Sequence, residues 1–237
     1  MALQLISQIP SQANGNLVDL GCGTGWALER LVNLEIGDGK NKTKRFEISA
    51  VDIAPGMIEV ARGRAPNAKF SCCDLEETKI EDNFAQVIFS NAAIQWCDAS
   101  SAFEEMKRIG RTGCTIVCST FGPQTLREIK SAWQETGDSF GRVHDFESCE
   151  SLRSKMKTSG LRNVEAKSEL REFKFDSVRN LLQSIKQLGA TNASSTRQTG
   201  LMGPKRYRGF CGALESRLAE AGYLELTFEC IFLSATV

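Results

Sequence analysis

The segment Leu17-Val-Asp-Leu-Gly-Cys-Gly-Thr-Gly25 decides the fold. Residues 17–20 form a short apolar run of strand character, and the stretch beyond Gly25 places Leu28, Leu31 and Val32 on one helical face. Glycines at 21, 23 and 25 lie between strand and helix, where the backbone must turn tightly and admit a ligand close to its amides. In an open α/β sheet that position is a cofactor crevice. The dinucleotide fingerprint G-x-G-x-x-G demands glycine at 26, where this chain has Trp26, so negligible affinity for NADH is expected.

Outward from this loop, apolar runs alternate with helix-period stretches as far as about residue 137, the pattern of βα units around a parallel sheet. The runs are LVDL (17–20), EISAVD (47–52), AKFSCC (68–73), AQVIFS (85–90) and TGCTIVCSTF (112–121). Met57, Ile58 and Ala61 are expected on one core-facing stripe, as are Leu126, Ile129 and Trp133. Polar GDGKNKTKR (37–45) reads as an exposed inserted loop. Beyond residue 137 we expect a helix near 146–158, an extended run near 163–175 and a helix carrying Val178 to Leu188. A last helix opens at Pro204, with Tyr207, Phe210, Cys211, Leu214 and Leu218 on one stripe, and Tyr223 to Val237 closes the sheet.

Three acids end consecutive strand units: Asp19, Asp52 and Asp74. A ribose diol presents two donors that one carboxylate accepts together, and Asp52 is placed for this. Its separation from Gly25 exceeds the usual ~20 residues, and the 37–45 insertion accounts for the excess. The fourth run ends in Ser90-Asn-Ala-Ala-Ile-Gln-Trp-Cys97, at the sheet edge where an acceptor would enter.

Composition narrows the classes. Lys+Arg and Asp+Glu both number 29, so no overall field draws in nucleic acid or an anionic membrane. The chain lacks both an apolar stretch near ~18 residues and a signal-peptide head, so a cytoplasmic protein is expected. Nine cysteines without a C-x-x-C pair argue against a disulfide framework and against a zinc site; no metal is expected. The single histidine, His144, has no motif linking it to a cysteine nucleophile.

An acid followed by G-x-G-x-G resembles the class I methyltransferases. What the resemblance implies is a Rossmann-like α/β fold, a seven-stranded mostly parallel sheet with helices on both faces and a C-terminal antiparallel strand. The cofactor would be S-adenosyl-L-methionine, held by Asp19, Gly21, Gly23, Gly25, Asp52, Met57, Asp74, Leu75 and Asn91, with Asp74 accepting from the adenine amino group. Closer still, SNAAIQWC (90–97), STFGPQTLREIKSAW (119–133), SIKQLGATNA (184–193) and LTFECIFLSA (226–235) are similar to the BioC family, malonyl-acyl-carrier-protein O-methyltransferases of biotin synthesis. Two departures stand out. Members of that family usually carry further helical residues over the cofactor before the first strand, so either a truncated start or a reduced lid is expected. The stretch corresponding to their His-Val-Asn-x-Phe reads Arg142-Val-His-Asp-Phe146.

The resemblance implies methyl transfer to the free carboxylate of malonyl-acyl-carrier protein or malonyl-CoA. Gln95 and Trp96 would line the acceptor pocket, Arg142 would orient the carboxylate, and Lys205, Arg206 and Arg208 would form a local basic face for the acidic carrier. A single domain is expected over 1–237, its cofactor-binding half being 1–137 and its acceptor or lid region 138–237. Two alternatives stay open: another small carboxylic acid or quinone precursor as acceptor, and a cofactor-binding protein without turnover.

Overall fold

A computed structural model describes residues 1–37, 43–136, 145–187 and 204–237. Helix α1 (Ala2–Ile6) precedes strand β1 (Gly15–Leu20) and the short helix α2 (Leu28–Leu31). A two-stranded ribbon, β2 (Glu35–Ile36) and β3 (Thr43–Lys44), flanks the residues 38–42 that are outside the described set. Thr43 and Lys44 of the segment expected as a loop are therefore in paired backbone, opposite Ile36 and Glu35. Next come β4 (Phe46–Asp52), α3 (Pro55–Arg64), β5 (Lys69–Cys72), β6 (Ala85–Asn91), α4 (Ala99–Ile109) and β7 (Gly110–Phe121). The chain continues through α5 (Arg127–Glu135), α6 (Cys149–Thr158), β8 (Arg162–Phe175), α7 (Val178–Gln187), α8 (Pro204–Ala221) and β9 (Leu224–Thr236).

Seven strands form one sheet in the order β5-β4-β1-β6-β7-β9-β8. Pairing is parallel from β5 through β7. The last strand, β9, runs antiparallel to β7, from Thr115↔Thr236 to Phe121↔Cys230. The chain leaves β1 for β4 and β5 on one side, then returns to place β6 on the other. That reversal is the switch point at which such sheets bind ligands, and Gly21–Gly25 follows β1 there. No helix among the described residues is long and apolar enough to cross a membrane.

Two compact units emerge. The first comprises Met1–Phe121, Glu147–Ser168 and Cys230–Val237. Its core joins Val18, Leu20, Val51, Ile88 and Ile116 of the sheet to Phe103, Met106, Leu152 and Met156 of the helices, all buried. Asp98 caps α4 by accepting from Ser101 N at 2.9 Å, and Ser148 caps α6 through Ser151 N. The second unit comprises Gly122–Phe146 and Glu169–Glu229. Within it Trp133 stacks on Phe210 at 4.0 Å, and Arg217 of α8 donates to Glu128 O and Ser131 Oγ of α5, both at 2.9 Å.

Three sequence expectations need correction. Met57 leaves the core stripe of α3: Ile58 and Ala61, three residues apart, are buried, whereas Met57, about 100° around the helix from Ile58, is 43% exposed. Leu126 is buried but not helical; at φ 57° it stands ahead of α5, its N–H held by Thr227 O at 2.7 Å. Tyr207 is exposed, so the buried stripe of α8 rests on Phe210 and Leu214.

Candidate cofactor site

The glycines between β1 and α2 do different work. At φ 76° a Cβ on Gly21 would stand 2.2 Å from Ala93 Cβ; on Gly25, at φ 78°, it would meet Ala61 Cα and Cβ at 2.9 Å. Packing against Ala93 and Ala61 demands these two. Above Gly23, at φ 53°, nothing lies within 4 Å of where a Cβ would be. The open space over Gly23 is where a ligand can approach the backbone. Gly21→Ala should therefore cost about 2 kcal/mol of stability through overpacking. Gly23→Ala should cost roughly 1 kcal/mol from left-handed strain while weakening ligand binding more. Thermal melts alongside calorimetry check the pair, and the reverse ranking would reassign the open space.

Four of the loop amides are already held within the protein. Gly21 and Cys22 both donate to Val51 O at 2.8 and 2.9 Å, Gly23 N donates to Asp52 Oδ2 at 2.8 Å, and Gly25 N donates to Cys22 O at 3.0 Å. With these four amides paired, the loop offers close approach over Gly23 more than an anion cradle, which suits a cofactor without pyrophosphate.

Asp52 anchors the loop and keeps capacity for a ligand. Oδ2 accepts from Gly23 N and Oδ1 from Ala54 N at 2.9 Å, and an ionised carboxylate offers about four lone-pair sites. Each oxygen retains a lone pair for a further donor. Ile53, next in sequence, is 68% exposed at the carboxyl edge. The sequence reading missed it, although an apolar residue between a strand-ending acid and the Pro55 helix start belongs to no core stripe. Met57, two residues into the following helix, is exposed as well.

Asp19 is buried, its Oδ2 has no hydrogen-bond partner, and burial, followed by the nearby Asp52 charge, pushes its carboxyl up to about 8. A buried polar atom left unpaired calls for a partner, and a cationic group arriving from solvent would supply one. The residues present thus fit a ligand with a purine, a ribose diol and a cationic tail. Asp74 is exposed on the segment after β5, its Oδ1 accepting from Glu76 N at 3.0 Å, and Leu75 Cδ2 lies 3.7 Å from the Gly21 Cβ position. Asn91 Oδ1 accepts from Ser119 Oγ at 3.0 Å at the end of β6.

Beyond β6 the backbone is strained. Ala92 has φ 54°, rare for a residue with a Cβ and typical of functional turns, and its N–H is held by Ser119 O at 2.9 Å. Gln95 is tied at both ends of its amide, Nε2 donating to Ala92 O at 2.7 Å and Oε1 accepting from Thr120 Oγ1 at 3.0 Å, which leaves one N–H and one lone pair. It holds the turn that presents Trp96, which is 45% exposed. Arg142 and His144 lie outside the described residues. Burial pushes the Cys97, Cys114 and Cys118 thiols up to about 12, and that of Cys22 upward as well, so these four stay protonated and poor nucleophiles at neutral pH.

A parallel sheet with its switch point at this glycine loop, three acids at successive strand ends and an antiparallel closing strand define a class I methyltransferase. The family model described as a methyltransferase domain matches residues 18–118. Among solved structures, a putative methyltransferase of Bacillus halodurans aligns with a TM-score of 0.68 at 11% identity, covering 99% of this chain and 97% of that one. Phosphoethanolamine N-methyltransferase 2 of Haemonchus contortus, in complex with S-adenosyl-L-methionine, aligns at 0.60 with 16% identity, covering 99% and 51%. These likenesses establish the fold.

Sequence relatives are more specific. Malonyl-[acyl-carrier protein] O-methyltransferase of Hahella chejuensis is 34% identical, over 81% of this chain and 67% of its own length. Its counterpart in Halorhodospira halophila is 33% identical, over 80% and 63%. The bifunctional biotin-biosynthesis protein BioHC of Cellvibrio japonicus is 31% identical over 97% of this chain and 44% of its own length. The chain belongs to the malonyl-[acyl-carrier protein] O-methyltransferase family, and it spans about two thirds or less of the length of these three relatives.

Proposed function

We propose that this chain is an S-adenosyl-L-methionine-dependent O-methyltransferase acting on the free carboxylate of malonyl-acyl-carrier protein, or malonyl-CoA, early in biotin synthesis. Family membership carries the substrate; the fit of Asp19, Asp52, Ile53 and the space over Gly23 supports the cofactor. S-adenosyl-L-methionine supplies an electrophilic methyl group on a sulfonium. Asp52 would accept from the ribose hydroxyls, Asp74 from the adenine amino group, Ile53, Met57 and Leu75 would flank the base, and Asn91 would lie beside the methionyl part. Trp96, set by Gln95 and the Ala92 turn, would wall the acceptor side.

The acceptor carboxylate is already ionised near neutral pH. No proton need be removed, so the chain's work is to orient the two reactants and exclude water. Arg142 is the proposed partner of the acceptor carboxylate. A cytoplasmic enzyme built as one domain over 1–237 fits this role. Arg206 and Arg208 are exposed on α8 and, with Lys205, would meet the acidic carrier.

Labelled cofactor with malonyl-acyl-carrier protein is the deciding assay. At saturating cofactor, turnover should stay flat from about pH 6 to 8, because a carboxyl pKa lies well below that window. Malonyl thioester should react and acetyl thioester should not. Methylation of a quinone precursor or a free acid with malonyl thioester inert would overturn the substrate, and no demethylated cofactor with any acceptor would overturn turnover itself. Changing Lys205, Arg206 and Arg208 together to alanine should slow the carrier-protein reaction while sparing malonyl-CoA, and equal loss on both would discard the docking face.

A further inference from the structure

Residues 73–84, between β5 and β6, carry Asp74 and Leu75 yet contain neither helix nor strand. Their course is set from α4. Near the start, Glu76 Oε1 accepts from Asp98 N at 2.9 Å, just ahead of α4. Farther on, the buried Thr78 donates both its N–H, at 2.7 Å, and its hydroxyl to Glu105 Oε1. Arg108 grips Glu105 with Nε and Nη2, both at 2.7 Å, donates to Thr78 O at 3.2 Å and pairs with Asp82. Asn83, at φ 57°, donates its N–H to Arg108 O at 3.0 Å. The anchors at 98 and 105 are two helical turns apart, about 10 Å of rise, so α4 acts as a ruler for the segment.

Glu105 is out of place if its role is stability alone. It is buried on a helix face shared with Ala102, Phe103, Met106 and Ile109, where an apolar side chain would serve as well or better. Burial by itself would raise its pKa, but the bonds from Arg108 and Thr78 hold it below the usual carboxylate range, so it stays charged. Every partner of the Glu105 and Arg108 side chains named above, apart from their own mutual pairing, lies on the segment that carries Asp74.

We propose that Glu105 and Arg108 are positioning residues for purine recognition: through Thr78 they fix the segment that aims Asp74 at the adenine amino group. The proposal rests on the cofactor reading above. Its test compares S-adenosylhomocysteine with the hypoxanthine analogue S-inosylhomocysteine, which lacks that amino group, by calorimetry on the full chain. Wild-type protein should prefer the adenine ligand, and Glu105→Gln should weaken it about tenfold, the scale of a lost hydrogen bond to a charged group, while leaving the hypoxanthine ligand nearly unchanged. Asp74→Asn combined with Glu105→Gln should lose no more than Asp74→Asn alone.

Thr78→Val, nearly the same shape, removes one donor and keeps the ion pair; it should show a smaller loss with the same selectivity should Glu105→Gln fold poorly. Equal weakening of both ligands, or a lowered melting temperature with unchanged selectivity, would overturn the positioning role. Failure of wild-type protein to discriminate the two ligands would instead remove Asp74 from purine recognition, and a wild-type protein that binds neither would remove the cofactor reading.

Discussion

Asp52→Ala is expected to weaken binding of S-adenosylhomocysteine by about 3 kcal/mol, roughly a hundredfold. Two losses combine. The ribose hydroxyls lose a charged acceptor, at about 1.5–3 kcal/mol for such a bond. The loop also loses both of its side-chain ties, because Asp52 Oδ2 holds Gly23 N and Oδ1 holds Ala54 N. Freed of the first, Gly23 can leave φ 53° and close the space over its backbone. Asp52→Asn keeps one acceptor and should fall between the two. Calorimetry, with thermal melts to show that the fold persists, checks the series. An unchanged affinity in the alanine variant would take Asp52 out of the cofactor site.

That the three acids could be read from sequence follows from the sheet itself. Apolar runs in a parallel sheet are set by burial, so Asp19, Asp52 and Asp74 had to fall at or just beyond strand ends on the same edge. What each does there is tertiary. Nothing in LVDLGCGTG says that Asp19 is buried with an unpaired oxygen, or that four of the glycine-loop amides are taken by Val51, Asp52 and Cys22. Gln95 stands out because its neighbours are distinctive, but that Thr120 of the adjoining strand donates to its Oε1 is tertiary and not legible locally. Met57 misled because a three-residue stripe fits two adjacent helix faces, and only packing against the sheet, which buries Ile58 and Ala61, decides between them. Leu126 fitted a helical period but sits at positive φ, a conformation that propensity disfavours and the second unit enforces through Thr227. The course of residues 73–84 was beyond local reading, since its determinants, Glu105 and Arg108, lie more than twenty residues downstream.

Asp19 should make cofactor binding depend on pH. In the free protein its carboxyl titrates near 8 rather than 3.8, so it is protonated at neutral pH. The folded state therefore binds a proton that the unfolded chain has released above pH 4. Stability from this group is fully present below its ordinary pKa and is lost as pH rises through about 8, so the ligand-free protein should melt at lower temperature at pH 8 than at pH 6. A ligand that brings a cation to the unpaired Oδ2 favours the ionised form and reverses the trend. The proposed cofactor brings an ammonium and a sulfonium, so its binding should release a proton and tighten by up to about tenfold per pH unit between pH 6 and 8. Calorimetry in buffers of different ionisation enthalpy counts that proton directly. Asp19→Asn, which cannot ionise, should release none from this site and show a nearly flat affinity, while the ligand-free variant loses the downward drift of its melting temperature. Identical wild-type affinity at pH 6 and 8 would mean that the cationic tail is held elsewhere and that Asp19 serves the loop alone.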